Sequence, residues 1–244
     1  MSLVLHALCI DALDPAMLGR FWSGVLGREL VDDPRAGVTL LPNETTDFRI
    51  RFVPTDVPKT GRNQMHFDLT SSSLEEQQQT VERALALGGQ HYDVGQRPEE
   101  EHVVLADPEG NEFCVIEPGN SFLAGCGFIG ALSSDGSQSC GYFWSAALDW
   151  PLVWDQHEET AIQSPAGGSK ITWGGTPFAP KTGKYRWHFD LVPGPDGDQR
   201  AEVERLLSLG ASHIDIGQGD VDWVVLADPD GHEIELYVDV MATE

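Results

Sequence analysis

The chain has 244 residues, with 39 Asp and Glu against 15 Lys and Arg, for a formal net charge of -24. That charge repels phosphate backbones and anionic membrane surfaces, so neither nucleic acid nor membrane is an expected partner. No apolar run reaches the ~20 residues needed to cross a bilayer, and Cys9, Cys114, Cys126 and Cys140 form no CxxC pair, so free thiols and a cytoplasmic location are expected.

Val4–Ile10 reads as a strand. Asp14-Pro15 then supplies an N-cap and a first-turn proline. Leu18, Phe21, Trp22, Val25 and Leu26 keep helical spacing up to Gly27. Strand-like pieces follow at Glu29–Val31, Val38–Leu41 and Phe48–Val53. The pattern restarts with a strand at Met65–Leu69 and a capping box, Ser73-x-x-Glu76, opening a helix that ends at Gly88. Further strands follow, the last two joined by Asp107-Pro108-Glu109-Gly110, which suits a type I turn. The unit is therefore β-α-β-β-β, used twice by residue 119.

The second half repeats the first. PKTGRNQMHFDL at Pro58 returns as PKTGKYRWHFDL at Pro180, an offset of 122. FWSGVLGRELV at Phe21 matches FWSAALDWPLV at Phe143, and VERALALGGQHYDVGQ at Val81 matches VERLLSLGASHIDIGQ at Val203, both at 122. VVLADPEGNE at Val103 matches VVLADPDGHE at Val224, at 121. Two long copies are not a solenoid, which stacks three or more short repeats. They predict two similar domains, 1–119 and 120–244, in an α+β fold. Four βαβββ modules form curved mixed sheets, with helices on the convex face.

Alternation places the polar side chains. On Met65–Leu69 the apolar face is Met65, Phe67 and Leu69, leaving His66 and Asp68 opposite. Its repeat sets Trp187, Phe189 and Leu191 against His188 and Asp190. On the last strand Ile234, Leu236 and Val238 oppose Glu233, Glu235 and Tyr237. His188, Asp190, Glu235 and Tyr237 are thus expected to share one concave cavity. His plus Glu alone is two ligands, where a catalytic divalent site usually has three.

With xDPxxLxxFW near the start of copy one, FW at the matching place in copy two, HFDL in the middle of both, and VVLADPEGNE or VVLADPDGHE near the end, the paired units resemble the vicinal oxygen chelate superfamily. That group includes glyoxalase I, extradiol dioxygenases, fosfomycin-modifying enzymes and bleomycin-binding proteins. The resemblance implies metal ligands on the first strand, on the strand opening the second half, and on the last strand. In copy two these fall on His188 and Glu235, with no ligating side chain among Gly127–Ile129. His6 of copy one would complete a site shared between copies. In copy one the positions are His66 and Cys114, and a thiol in the carboxylate's place predicts no metal there.

The remaining candidates are softer. Lys59, Arg62, Lys181 and Lys184 in the PKTG loops would either grip an anionic substrate or form a structural hairpin. Arg49 and Arg51 alternate along one strand, facing a cavity or solvent. Trp150, Trp154 and Trp173 have no core periodicity and, with His66, Asp68, Cys114 and Tyr237, are candidate pocket residues. The expected function is binding of a small organic molecule in a concave sheet cavity, by a monomer or homodimer. The alternative is a lyase, isomerase or dioxygenase with one divalent ion (Zn, Mn, Fe or Ni) in the second domain and Asp190 or Glu233 as base. No metal at all is an equal expectation.

Overall fold

The structure is a computed structural model, and it describes residues 3–35, 37–97, 99–175 and 184–238. Four modules follow one another along the chain. The first comprises β1 (Leu3–Ala12), α1 (Pro15–Leu26), β2 (Leu30–Asp33), β3 (Gly37–Leu40) and β4 (Arg49–Pro54). The second comprises β5 (Met65–Leu69), α2 (Leu74–Ala86), β6 (Gln90–His91), β7 (Val103–Ala106) and β8 (Glu112–Val115). The third has β9 (Ile129–Asp135), α3 (Gln138–Leu148), β10 (Leu152–Gln156), β11 (Glu159–Gln163) and β12 (Lys170–Gly174). The fourth has β13 (Trp187–Pro193), α4 (Gln199–Leu209), β14 (Ser212–His213), β15 (Val224–Ala227) and β16 (Glu233–Leu236).

The helices start where their caps dictate. Asp14 accepts the Met17 backbone N–H, and α1 ends at Gly27, whose φ of 65° is left-handed. Ser73 caps α2 through the Glu76 N–H, but Glu76 reaches back to the N–H of Ser72, one residue beyond the reciprocal partner expected of a capping box. Helices α1 and α3 each bury one apolar stripe: Leu18, Phe21, Trp22, Val25 and Leu26 in α1, and Phe143, Trp144, Ala147 and Leu148 in α3.

The sheets do not follow the sequence copies. The first sheet has the order β14-β15-β16-β13-β1-β4-β3-β2, and the second has β10-β11-β12-β9-β5-β8-β7-β6. Modules one and four share one sheet, and modules two and three share the other. Each sheet is closed at its centre by an antiparallel pair with one strand from each copy, β1 with β13 and β5 with β9. This pairing buries an edge that every four-stranded module would otherwise leave open.

One apolar core runs through both sheets. Trp22 meets Phe67 at 5.0 Å and Phe113 at 4.9 Å between ring centres, and Phe67 meets Trp187 at 4.8 Å. The DPxG turns lock the helices onto this core. The buried Asp107 carboxylate accepts Trp22 Nε1 at 3.1 Å and Asn111 Nδ2 at 2.8 Å, and Asp228 accepts Trp144 Nε1 at 2.9 Å. Both tryptophans thereby bury their rings with the N–H satisfied.

Candidate functional site

The concave face of the first sheet takes its polar side chains from β1, β2, β3, β4, β13 and β16. In the register, Cys9 lies opposite His188 across the β1–β13 pair and beside Arg51 across the β1–β4 pair, while Asp190 lies beside Glu235 across β13–β16. His188 Nε2 stands 3.6 Å from Asp190 Oδ1 and 3.8 Å from Glu235 Oε1. The far oxygen of each carboxylate is held: Asp190 Oδ2 accepts Arg51 at 2.8 Å and the Cys9 thiol at 3.0 Å, and Glu235 Oε2 accepts the Tyr237 hydroxyl at 2.8 Å. Arg51 also reaches Asp33 at 3.1 Å, and Thr39 donates to the same Asp33 oxygen. Among the described residues, Asp190 Oδ1 and His188 Nδ1 are buried with no hydrogen-bond partner.

The face is shut. The His188 side chain is 3% exposed, and Cys9, Arg51, Asp190 and Glu235 are all buried. Tyr237 closes the rim, stacked on Trp223 at 5.2 Å with Arg35 over its ring. Burial, with Lys184 and Arg51 nearby, lowers the His188 pKa to about 3, so the imidazole is neutral. Burial and then Asp190 lift Glu235 to about 7. Burial also raises Asp190, against the pull of Arg51.

His6 sits at a bulge in β1, between Leu5 and Ala7, that resets the alternation of the strand. Its Nε2 is buried without a partner, but it does not join the group of mutually close donors formed by Cys9, His188 and Asp190. The first-strand donor at this face is Cys9, which the sequence reading passed over. Applying to β1 the alternation used for β13 finds it, because Ala7, Cys9 and Asp11 oppose Leu8, Ile10 and Ala12. Glu233 is buried elsewhere on β16, where it accepts the backbone N–H of Tyr185.

The second sheet repeats the layout with His66, Asp68 and Cys114. His66 Nε2 is 3.5 Å from Asp68 Oδ1, and Asp68 Oδ2 accepts the Ser133 hydroxyl at 2.5 Å. This face is open: the His66 side chain is 35% exposed and Cys114 is partly buried. Burial opposes the His66 cation, but hydrogen bonds to Asp68 and Cys114 outweigh it and lift the pKa to about 10. The two His-x-Asp pairs differ first in burial and then in nearby cations: Lys184 and Arg51 act on His188, and Arg51 bonds Asp190, whereas among the described residues no arginine bonds Asp68.

The tryptophans and loop cations go elsewhere. Trp173 is buried in the core, stacked on Trp144 at 6.2 Å. Trp154 packs edge-on against Phe122. Trp150 lines a shallow surface hollow with Tyr142, Pro151 and Leu152. A cavity of about 320 Å³ lies beside the inter-copy linker, lined by Thr70, Ile116, Asn120, Leu123 and Cys126, and touches neither His cluster. Lys59 pairs with Glu112 at 2.9 Å and Lys184 with Asp11 at 2.8 Å, so both loop lysines are engaged within the chain. Arg62 is exposed, and Lys181 lies outside the described residues.

The profile of the glyoxalase-like domain matches residues 7–116 and again residues 131–237. The chain belongs to the glyoxalase-like domain family. It is thereby a member of the vicinal oxygen chelate superfamily. No curated protein sequence matches it. Among solved structures, glyoxalase I from Zea mays superposes with a TM-score of 0.62 at 14% identity, covering 98% of this chain and 92% of the maize one. A putative dioxygenase from Bacillus subtilis subsp. subtilis str. 168 gives a TM-score of 0.62 at 17% identity, covering 97% of this chain and 85% of that one. At those identities the likeness is one of fold.

Proposed function

We propose that this glyoxalase-like protein binds a small organic molecule bearing neighbouring oxygens on the concave face of the first sheet, through a divalent metal ion held by His188, Asp190 and Glu235. The observation that carries this reading is Asp190 Oδ1, a buried carboxylate oxygen with no donor. Leaving such an atom unsatisfied costs ~1–3 kcal/mol or more. The separations of 3.6 and 3.8 Å from His188 Nε2 are too long for hydrogen bonds. Each of these two pairs is spaced for donors that share one ion at roughly 2.0–2.2 Å, with Glu235 reached through His188 and outside the close group of Cys9, His188 and Asp190. Arg51, Cys9 and Tyr237 hold the opposite carboxylate oxygens, which is the supporting arrangement that orients ligands. A neutral His188 offers a lone pair, as a ligand requires.

When bound, such an ion would act as a Lewis acid toward a carbonyl or hydroxyl oxygen. The chain's own residues do the rest: Asp190 stays oriented by Arg51, and the buried walls exclude water. In the catalytic form of the same reading, a lyase, isomerase or dioxygenase, Asp190 is occupied as a ligand, and Glu233 is held by the Tyr185 backbone N–H away from this face.

The donor set of one imidazole and two carboxylates suits a hard ion, so Mn²⁺ is the probe. Calorimetric titration of chelator-treated protein is expected to show one Mn²⁺ site, weakened at least tenfold in both His188→Ala and Glu235→Gln. Binding unchanged in both variants would remove the metal from this face.

A further inference from the structure

The second sheet carries the same frame with three exchanges. Ser133 stands opposite His66 where Cys9 stands opposite His188, Cys114 lies beside Asp68 where Glu235 lies beside Asp190, and Thr172 lies beside Ser133 where Arg51 lies beside Cys9. We propose that His66, Asp68 and Cys114 form a second metal site on the open concave face, selective for a thiophilic divalent cation such as Zn²⁺. The inference does not depend on the metal at the first sheet.

Three observations carry it. One atom from each residue, the imidazole nitrogen, a carboxylate oxygen and the Cys114 sulfur, lies within 4.8 Å of the other two. Asp68 is oriented for the role, with Oδ2 bonded to Ser133, which is held in turn by Thr172 at 3.3 Å, and with Oδ1 turned to His66. The strand position that supplies Arg51 in the first sheet supplies neutral Thr172 here, and the nearby Lys170 ammonium is spent on the Phe122 carbonyl and ring. Among the described residues, no lysine or arginine therefore competes for Asp68.

The geometry also separates a metal site from a nucleophilic thiol. A Cys–His–Asp catalytic set places the thiol on one imidazole nitrogen and the carboxylate on the other. Here Asp68 faces Nε2 at 3.5 Å, and the Cys114 sulfur lies within 4.8 Å of both an imidazole nitrogen and an Asp68 oxygen, so thiol and carboxylate are neighbours, as donors around one ion are. One imidazole, one carboxylate and one thiolate select a softer ion than the donors of the first face, and the partial exposure leaves a fourth position for water or an anionic ligand. Binding expels the thiol proton and the His66 imidazolium proton to solvent and forms the metal–sulfur and metal–nitrogen bonds.

The test uses the full chain and Co²⁺ as a spectroscopic stand-in for zinc. Titration is expected to produce a near-ultraviolet thiolate-to-cobalt band that vanishes in Cys114→Ser, persists in Cys9→Ser, and is competed away by Zn²⁺. Cys114→Glu should bind the ion without the band. Ser133→Ala, which frees Asp68 Oδ2, should weaken binding about tenfold. In the unmutated protein, Zn²⁺ should slow alkylation of Cys114, read by peptide mass spectrometry, and leave partly buried Cys126 unprotected. Absence of the band, a band that survives Cys114→Ser, or alkylation of Cys114 unaffected by zinc would overturn the proposal. The Mn²⁺ titration of the first face is read separately, so either site can fail alone.

Discussion

Arg51 is the buried cation on which the first concave face depends, and Arg51→Met tests that claim. Methionine has comparable length and no charge, so the substitution removes the guanidinium with little change in packing. Arg51 is 2% exposed and bonds Asp190 at 2.8 Å and Asp33 at 3.1 Å. Two unit charges ~4 Å apart interact by about 4 kcal/mol at an effective dielectric of 20. Removing one member of a buried pair typically costs 3–5 kcal/mol, because its partner is left charged and unsolvated. Asp33 lies nearer the rim, so most of the loss belongs to Asp190, and about 4 kcal/mol is expected in metal-free protein at neutral pH.

The loss should depend on pH. Asp190 has a raised pKa in the folded protein, and losing Arg51 raises it further. A raised carboxylate contributes stability below its unfolded pKa and loses it as pH rises through the folded pKa. The deficit of Arg51→Met should therefore shrink at pH 5 relative to pH 7.5. Asp190→Asn in the Arg51→Met background should recover ~2 kcal/mol. Urea denaturation of the two single variants and the double variant at both pH values measures all of this. A loss below ~1 kcal/mol, the worth of a surface pair, or a loss independent of pH, would refute the reasoning.

Burial and then Arg51 and Arg49 hold the His6 pKa down to about 4, so its stabilising share is present above pH 6.5 and is lost as pH falls toward 4; His6→Gln should flatten the acid limb of stability by up to about 3 kcal/mol. Thermal melts between pH 4 and 7 compare the two proteins. Asp107→Ala should cost about 3 kcal/mol or more by chemical denaturation, since the Trp22 and Asn111 donors and two backbone N–H groups lose their buried acceptor together. Gly141→Ala should cost ~1–3 kcal/mol in the same assay, because its Cβ would fall 2.5 Å from the Cβ of Thr160, a stiff β-branched side chain with no room to retreat.

The elements were legible because they are local. Asp14-Pro15, Ser73 and Gly27 fix helix ends through backbone hydrogen bonds within a few residues, and the spacing of Leu18, Phe21, Trp22 and Val25 fixes the buried stripe. Alternation on Met65–Leu69 set His66 and Asp68 apart from Met65, Phe67 and Leu69, whose side chains are buried. Trp173 was misjudged for want of a period: β12 has Ile171 and Trp173 on its inner face, too short a run to announce itself. Alternation leaves Arg51 open between cavity and solvent, because what decides its place, Asp33 and Asp190, is brought to it from two other strands.

The sequence by itself determined the four β-α-β-β-β modules and the polar face of their strands, since period, caps and turns are short-range properties. Which module lies beside which was decided by the tertiary structure. All four modules offer similar strand edges, so the repeat is equally compatible with sheets within each copy and with sheets across copies. The exchange of partners, β1 with β13 and β5 with β9, gives one face Cys9, Arg51, His188, Asp190 and Glu235, and the other Ser133, Thr172, His66, Asp68 and Cys114. Residues 181 positions apart, such as Cys9 and Asp190, share a hydrogen bond only because of that choice. The charge balance of each site is a sum over strands that no local pattern contains.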